Sequence, residues 1–116
     1  MIESYKELHV WQRAIELSIA IYRLTAGFPR EEIYGLSNQV RRASVSIPSN
    51  IAEGYGRGSR GEYKQFLCIA RGSNLELQTQ LVIARELKYG CGDAIDHVEK
   101  LSVEVGKMLT TMLKKL

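Results

Sequence analysis

Apolar residues recur at spacings of three and four along nearly the whole chain, and no stretch sustains the period-two alternation of a half-buried strand. That periodicity predicts an all-α protein. Its strictest run is Leu36, Val40, Ala43, Ile47, Ile51 and Gly54, and the register passes unbroken through Pro48. A loop at positions 48–50 has no reason to hold that phase, so Pro48 is read as a kink inside one helix. Its ring opposes the Ser44 carbonyl and removes one backbone hydrogen bond, a cost of about 3 kcal/mol unless neighbours compensate. Ser44, Ser46 and Ser49 are the nearby candidates to supply that compensation.

The other stretches repeat the pattern. In the first, Leu8, Trp11, Ile15, Ile19 and Tyr22 form one stripe, and Val10, Ala14, Leu17, Ile21, Leu24 and Phe28 form a second beside it. Together they cover more than half the helix circumference, which calls for cover on two sides. Gly27 and Pro29 end this helix, "REEIYG" makes a short turn, and Ser37 is the expected N-cap of the second. The glycine-rich "GYGRGSRG" closes the second helix, and Ser59 with Glu62 fits a capping box for the third. Along the third, Tyr63, Phe66, Leu67, Ala70, Asn74, Leu77, Leu81 and Ala84 form the main stripe. Cys68, Leu75, Val82 and Tyr89, each seven apart, line the opposite face. Asp93 is the expected cap of a last helix with one stripe: Val98, Leu101, Val105, Met108, Leu109, Met112 and Leu116.

Four helices, at about 6–27, 37–57, 60–89 and 93–115, joined by brief turns, predict a single domain over residues 1–116. Its expected form is an antiparallel up-down-up-down four-helix bundle. One bundle core cannot bury both faces of the first and third helices, so the surplus faces predict a homo-oligomer, with Cys68, Leu75, Val82 and Tyr89 as interface candidates. Asn50 and Asn74 fall on core stripes, where buried amides need partners and fix helix register. With Pro48, Gly54 and Glu53 they form the expected structural set.

Charge is less evenly laid out than its net value of +3 suggests. Residues 41–72 hold six cations, Arg41, Arg42, Arg57, Arg60, Lys64 and Arg71, against Glu53 and Glu62, while the rest of the chain sums to −1. This is a modest polyanion signal. Two cysteines, Cys68 and Cys91, are too few and too far apart for a disulfide framework or a zinc site. No apolar run approaches the ~18 residues of a membrane span. The opening "MIESYKELHVWQ" lacks the basic and apolar regions of a signal peptide, so a cytoplasmic protein is expected.

Gly56 to Gly61 matches G-x-G-x-x-G by letter, but a helix precedes it where a dinucleotide fingerprint needs a strand. What survives is an anion-binding reading: amides at the third helix's start beside Arg57 and Arg60. No Glu-x-x-His pair occurs, and His9 and His97 sit on polar arcs, so no metal and no cofactor are expected. Glu53 and Glu76 have no histidine, cysteine or second carboxylate set beside them for acid–base work, and no nucleophile signature occurs. No catalytic residue is assigned, and the chain is read as not an enzyme.

The stretch "RRASVSIPSNIAEGYGRGSRGEYKQFLCIARGSNLELQTQLVIARELKYG", with "LHVWQRAIEL" and "FPREEIYGLSNQVRRA" before it, resembles the family named after 23S rRNA intervening sequences. Arg41–Arg42–Ala43, Ser46–Ile47–Pro48, Asn50 to Gly54, and Gly72–Ser73 followed by Glu76 and Thr79 carry the resemblance. Gln78 departs from it, since the family often has a second acidic residue there. The resemblance implies a four-helix bundle assembling into a ring, a homopentamer, with no established enzymatic activity. A related group, the accessory protein of diversity-generating retroelements, is a basic pentameric barrel that associates with reverse transcriptase and nucleic acid. Carried over, that makes Arg41, Arg42, Arg57, Arg60, Lys64 and Arg71 candidate phosphate contacts. The leading expectation is thus an oligomeric scaffold or adaptor binding RNA or a nucleic-acid enzyme. Its alternative is a protein-binding assembly with no nucleic-acid partner.

Overall fold

The computed structural model describes residues 2–116. Four helices hold most of them: α1 (His9–Thr25), α2 (Leu36–Gly56), α3 (Arg60–Glu86) and α4 (Gly92–Lys115), with single 3-10 turns at Tyr5–Glu7 and Arg30–Glu32. Each helix packs on its neighbours in sequence and α4 closes against α1, while the diagonal pairs stay apart. Cross-helix partners run in opposite senses. Ser18 meets Ser44 while Thr25 meets Arg41. Gly54 lies against Phe66 while Ser46 meets Ser73. Arg85 meets Glu99 while Gln78 meets Ser102. The result is a four-helix bundle measuring 43 × 24 × 21 Å.

The core follows the apolar stripes. Leu17 and Ile21 of α1, Val40, Ile47 and Ile51 of α2, Leu67, Leu77 and Leu81 of α3, and Val105 and Leu109 of α4 are fully buried. Each such side chain contributes about 1.5–3 kcal/mol through its removal from water. Pro48 sits inside α2 as the register requires. The carbonyl it strands, that of Ser44, accepts a hydrogen bond from the Ser18 hydroxyl of α1 at 2.9 Å. The compensation therefore comes from a neighbouring helix and not from the nearby serines of α2. At Gly54 the helices come so close that a Cβ would lie 2.6 Å from Cβ of Phe66, a contact no side chain can make.

Helix ends depart from the periodicity where local hydrogen bonding decides them. Residues 5–7 form their own turn, capped by Ser4, whose hydroxyl accepts from the Lys6 N–H at 3.1 Å. The N-cap of α2 is Gly35, and Ser37 lies buried inside the helix. Glu32 does the capping instead, its carboxylate accepting the Leu36 N–H at 3.0 Å. The third helix stops at Glu86, short of Tyr89, with Lys88 in the left-handed region at φ 61°. Cys91 caps α4, and Asp93 lies in its first turn. Ser59 does cap α3, accepting the Glu62 N–H at 3.2 Å. The Glu62 carboxylate accepts the Ser59 hydroxyl at 3.1 Å, so this is half a capping box.

Candidate nucleic-acid interface

Folding divides the six basic candidates among three places. Arg41 and Arg42 lie in the second turn of α2, and Arg57 follows its last residue. A rise of 1.5 Å per residue puts about 24 Å between the two groups. Arg71 stands midway along α3, at the edge of a groove between α3 and α4. Arg57, Arg60 and Lys64 alone gather, at the turn between α2 and α3.

Their electrostatic states differ. Arg41 is half-buried, donating from Nε to the Thr25 hydroxyl at 2.7 Å, with its guanidinium 4.8 Å from the centre of the Tyr22 ring. It ties α2 to α1. Arg57 lies 3.0 Å from Glu53 and 4.0 Å from Glu62, and its guanidinium stacks over Phe66 at 5.0 Å. Glu53 is thus an exposed ion-pair partner and not a buried bundle group, because its place on α2 faces away from the core. Glu76 is exposed as well. Arg42, Arg60, Lys64 and Arg71 have no ion pair among the described residues.

The fold adds cations that the linear charge count hides. The N-terminal segment returns beside the end of α2, where the Tyr55 hydroxyl donates to the Ile2 carbonyl at 3.2 Å. The last turns of α4 border the same segment, Lys115 and Ile2 lining one groove. Lys6, Lys114 and Lys115 therefore join Arg57, Arg60 and Lys64 at one end of the bundle. Four side-chain carboxylates, Glu3, Glu7, Glu53 and Glu62, share that end, and three are already committed. Glu53 and Glu62 face Arg57, and Glu7 turns back to accept the Glu3 and Ser4 N–H groups at 2.6 and 3.2 Å. The signal available in the sequence was the Lys114–Lys115 pair in the last turn of α4, masked by a balanced segment. At the start of α3, Ser59 already takes the Glu62 N–H and the Glu62 carboxylate stands at the same helix end, which counts against the anion-binding reading.

The polar candidates divide as well. Asn74 is buried and exchanges hydrogen bonds with α4: Nδ2 donates to the Ser102 carbonyl at 2.9 Å, and Ser102 Oγ donates to Oδ1 at 2.6 Å. Asn50 is half-buried, displaced from the core toward α3. It donates to the Ser46 carbonyl and hydroxyl at 2.8 and 2.9 Å, and Ser46 Oγ in turn meets Ser73 Oγ at 2.9 Å.

Of the outer stripe of α3, Cys68, Leu75 and Val82 are exposed, the last two by 57% each. Tyr89 leaves the stripe because α3 ends before it. Its ring packs 5.5 Å from that of Phe28, and its hydroxyl donates to Glu32 at 2.9 Å. The Glu32 carboxylate and partial burial raise the Tyr89 pKa above its ordinary 10.0. On α1, Ile19 and Tyr22 remain about half exposed, and on α2 so does Val45, which follows the Ser44 that Ser18 meets. The helix order α1–α2–α3–α4 sets the α1–α2 side opposite the α3–α4 side, where Leu75 shares a groove with Val103. Two apolar faces thus stand on opposite sides of the bundle.

Among the described residues no group of three His, Cys, Asp or Glu side chains is placed to hold a metal ion, and no helix is long and apolar enough to cross a membrane. A crystal structure from Bacteroides thetaiotaomicron, of a protein with unknown function from the S23 ribosomal protein family, has the same fold. It matches with a TM-score of 0.83 and 24% identity, over 90% of this chain and 95% of the other. No functionally curated protein shows significant sequence similarity to the chain. The family model for the 23S rRNA-intervening sequence protein matches residues 6–111. With nearly the whole bundle inside that match, the chain belongs to the 23S rRNA-intervening sequence protein family.

Proposed function

We propose that this protein is a non-enzymatic oligomeric scaffold, working in the cytoplasm, that binds RNA through the basic end of its bundle. The observation that carries this reading is the cluster of Arg60, Lys64, Lys6, Lys114 and Lys115 at one end, without carboxylate partners among the described residues. Exposed cations without internal partners are the groups that displace counterions from a phosphate backbone.

Assembly supports the same reading. A face that meets a different face on the next copy makes a heterologous contact, which closes into a ring when the rotation allows. The α1–α2 face, with Ile19, Tyr22 and Val45, and the α3–α4 face, with Leu75, Val82 and Val103, are disposed for such a contact. Five copies is the number the family resemblance implies. A ring repeats the basic end once per copy, so weak individual contacts act together on one strand.

The second reading, an assembly binding protein alone, draws on the same apolar faces. RNA-binding anisotropy at low salt separates the two. The scaffold reading expects binding that Arg60→Ala/Lys64→Ala weakens more than Arg41→Ala, because Arg41 is held by Thr25 and Tyr22. Absence of RNA binding in the native protein overturns it and leaves the protein-only assembly.

A further inference from the structure

A groove of about 700 Å³ runs between the N-terminal segment and the last turns of α4. Leu8, Val10, Met108 and Met112 make its apolar floor, and Lys107 and Lys115 flank it. Eight residues of helix separate the two lysines, about 12 Å along α4 at 1.5 Å per residue. Neither lysine has an ion pair among the described residues. Glu7 also borders the groove, but its carboxylate is committed to the Glu3 and Ser4 N–H groups. The groove is therefore apolar along its length and positively charged at two points two turns apart. Methionine side chains are flexible and polarizable, which suits a floor that must fit an incoming apolar surface.

We propose that this groove docks an amphipathic helix of a partner protein. Its apolar anchors, four residues apart, lie on Met108 and Met112, and carboxylates eight residues apart meet Lys107 and Lys115. A helix laid alongside α4 carries side chains four and eight residues apart at about 6 and 12 Å along its axis, the same rise that separates Met108 from Met112 and Lys107 from Lys115. A single-headed aliphatic acid neutralises one lysine and leaves the other unmatched, and an RNA strand gains nothing from the apolar floor. The inference goes beyond RNA binding and does not depend on it; the two surfaces share Lys115 alone, so a docked helix and an RNA strand compete for that side chain.

The test uses two labelled helical peptides. Each carries leucines four residues apart, flanked by glutamates eight apart in one peptide and by lysines at the same positions in the other. The native protein is expected to bind the glutamate peptide about tenfold more tightly than the lysine peptide, and Lys107→Glu/Lys115→Glu to reverse the preference. A reversal is a gain of binding, which a misfolded variant cannot imitate. Equal binding of both peptides, or a preference unchanged in the variant, overturns the proposal. So does laurate binding at the groove with no binding of either peptide, which assigns the groove to an aliphatic acid.

Discussion

Ser18 donates its hydroxyl hydrogen to the Ser44 carbonyl, the acceptor that Pro48 leaves without a helical N–H. One inter-helix hydrogen bond thereby replaces one intra-helix bond, and a proline that disrupts α2 becomes a reason for α1 to stay in register. Ser18→Ala is expected to cost about 1–2 kcal/mol, since it strands a buried acceptor. In a Pro48→Ala background the helix recovers its own donor, and the same change should cost markedly less. Urea unfolding of the four proteins in this cycle measures the coupling. Equal costs in both backgrounds contradict the account.

Gly106 of α4 faces Asn74 across the seam, where a Cβ would lie 3.1 Å from Nδ2. Alanine in a helix is ordinarily favoured over glycine by about 1 kcal/mol. Here Asn74 is held by two hydrogen bonds to Ser102 and cannot move aside. Gly106→Ala is therefore expected to destabilise the protein, by roughly 1–2 kcal/mol of overpacking beyond the propensity gain. In an Asn74→Ala background the clash is gone, and the substitution should become stabilising. Thermal or urea denaturation reads the change of sign.

Tyr89 gives the fold an alkaline limit. Hydrogen bonding to Glu32 and desolvation favour its neutral form, so its folded pKa lies above the unfolded value. Such a group contributes stability that is fully present below pH 10, and that is lost as pH rises through the folded pKa. Tyr63 shifts the same way, chiefly through burial. Unfolding midpoints of the native protein should fall as pH climbs past 10. Tyr89→Phe should reduce that fall while leaving neutral-pH behaviour without a comparable titration.

A heterologous assembly has a signature that an isologous dimer lacks. Tyr22→Glu should disable the α1–α2 face, and Leu75→Glu the α3–α4 face. Both positions are largely exposed within the single bundle, so the subunit fold should survive. Each variant alone is expected to run as a monomer in sedimentation. Mixed, they retain one intact pair of faces and should form a one-to-one dimer that grows no further. A mixture that stays monomeric, or either variant alone retaining the native assembly, contradicts the head-to-tail arrangement.

Periodicity made the helices readable, because burying a stripe on a 3.6-residue repeat is a local statement about the chain. Leu36 to Gly54 kept its phase through Pro48, and every apolar member of the second α1 stripe is buried. Caps were less legible. Ser37 looked like a cap, but Glu32, outside any helix pattern, reaches the Leu36 N–H. The donor that rescues Pro48 comes from Ser18, 26 residues from its acceptor, a pairing that local sequence does not display. Charge along the chain is a poor guide to charge on the surface. Arg41 and Arg57 counted as one basic third of the chain, yet the fold separates them and brings Lys6, Lys114 and Lys115 to the end that holds Arg57, Arg60 and Lys64.

The most direct test of the scaffold reading is the salt dependence of RNA binding for the native protein and for Arg60→Ala/Lys64→Ala, measured by anisotropy with a single-stranded RNA. If these side chains meet phosphates, the logarithmic slope of affinity against salt should be steep for the native protein. It should become shallower by about 1.4 in the variant, two contacts at ~0.7 each. Parallel slopes for the two proteins would contradict the basic end as the RNA-binding surface.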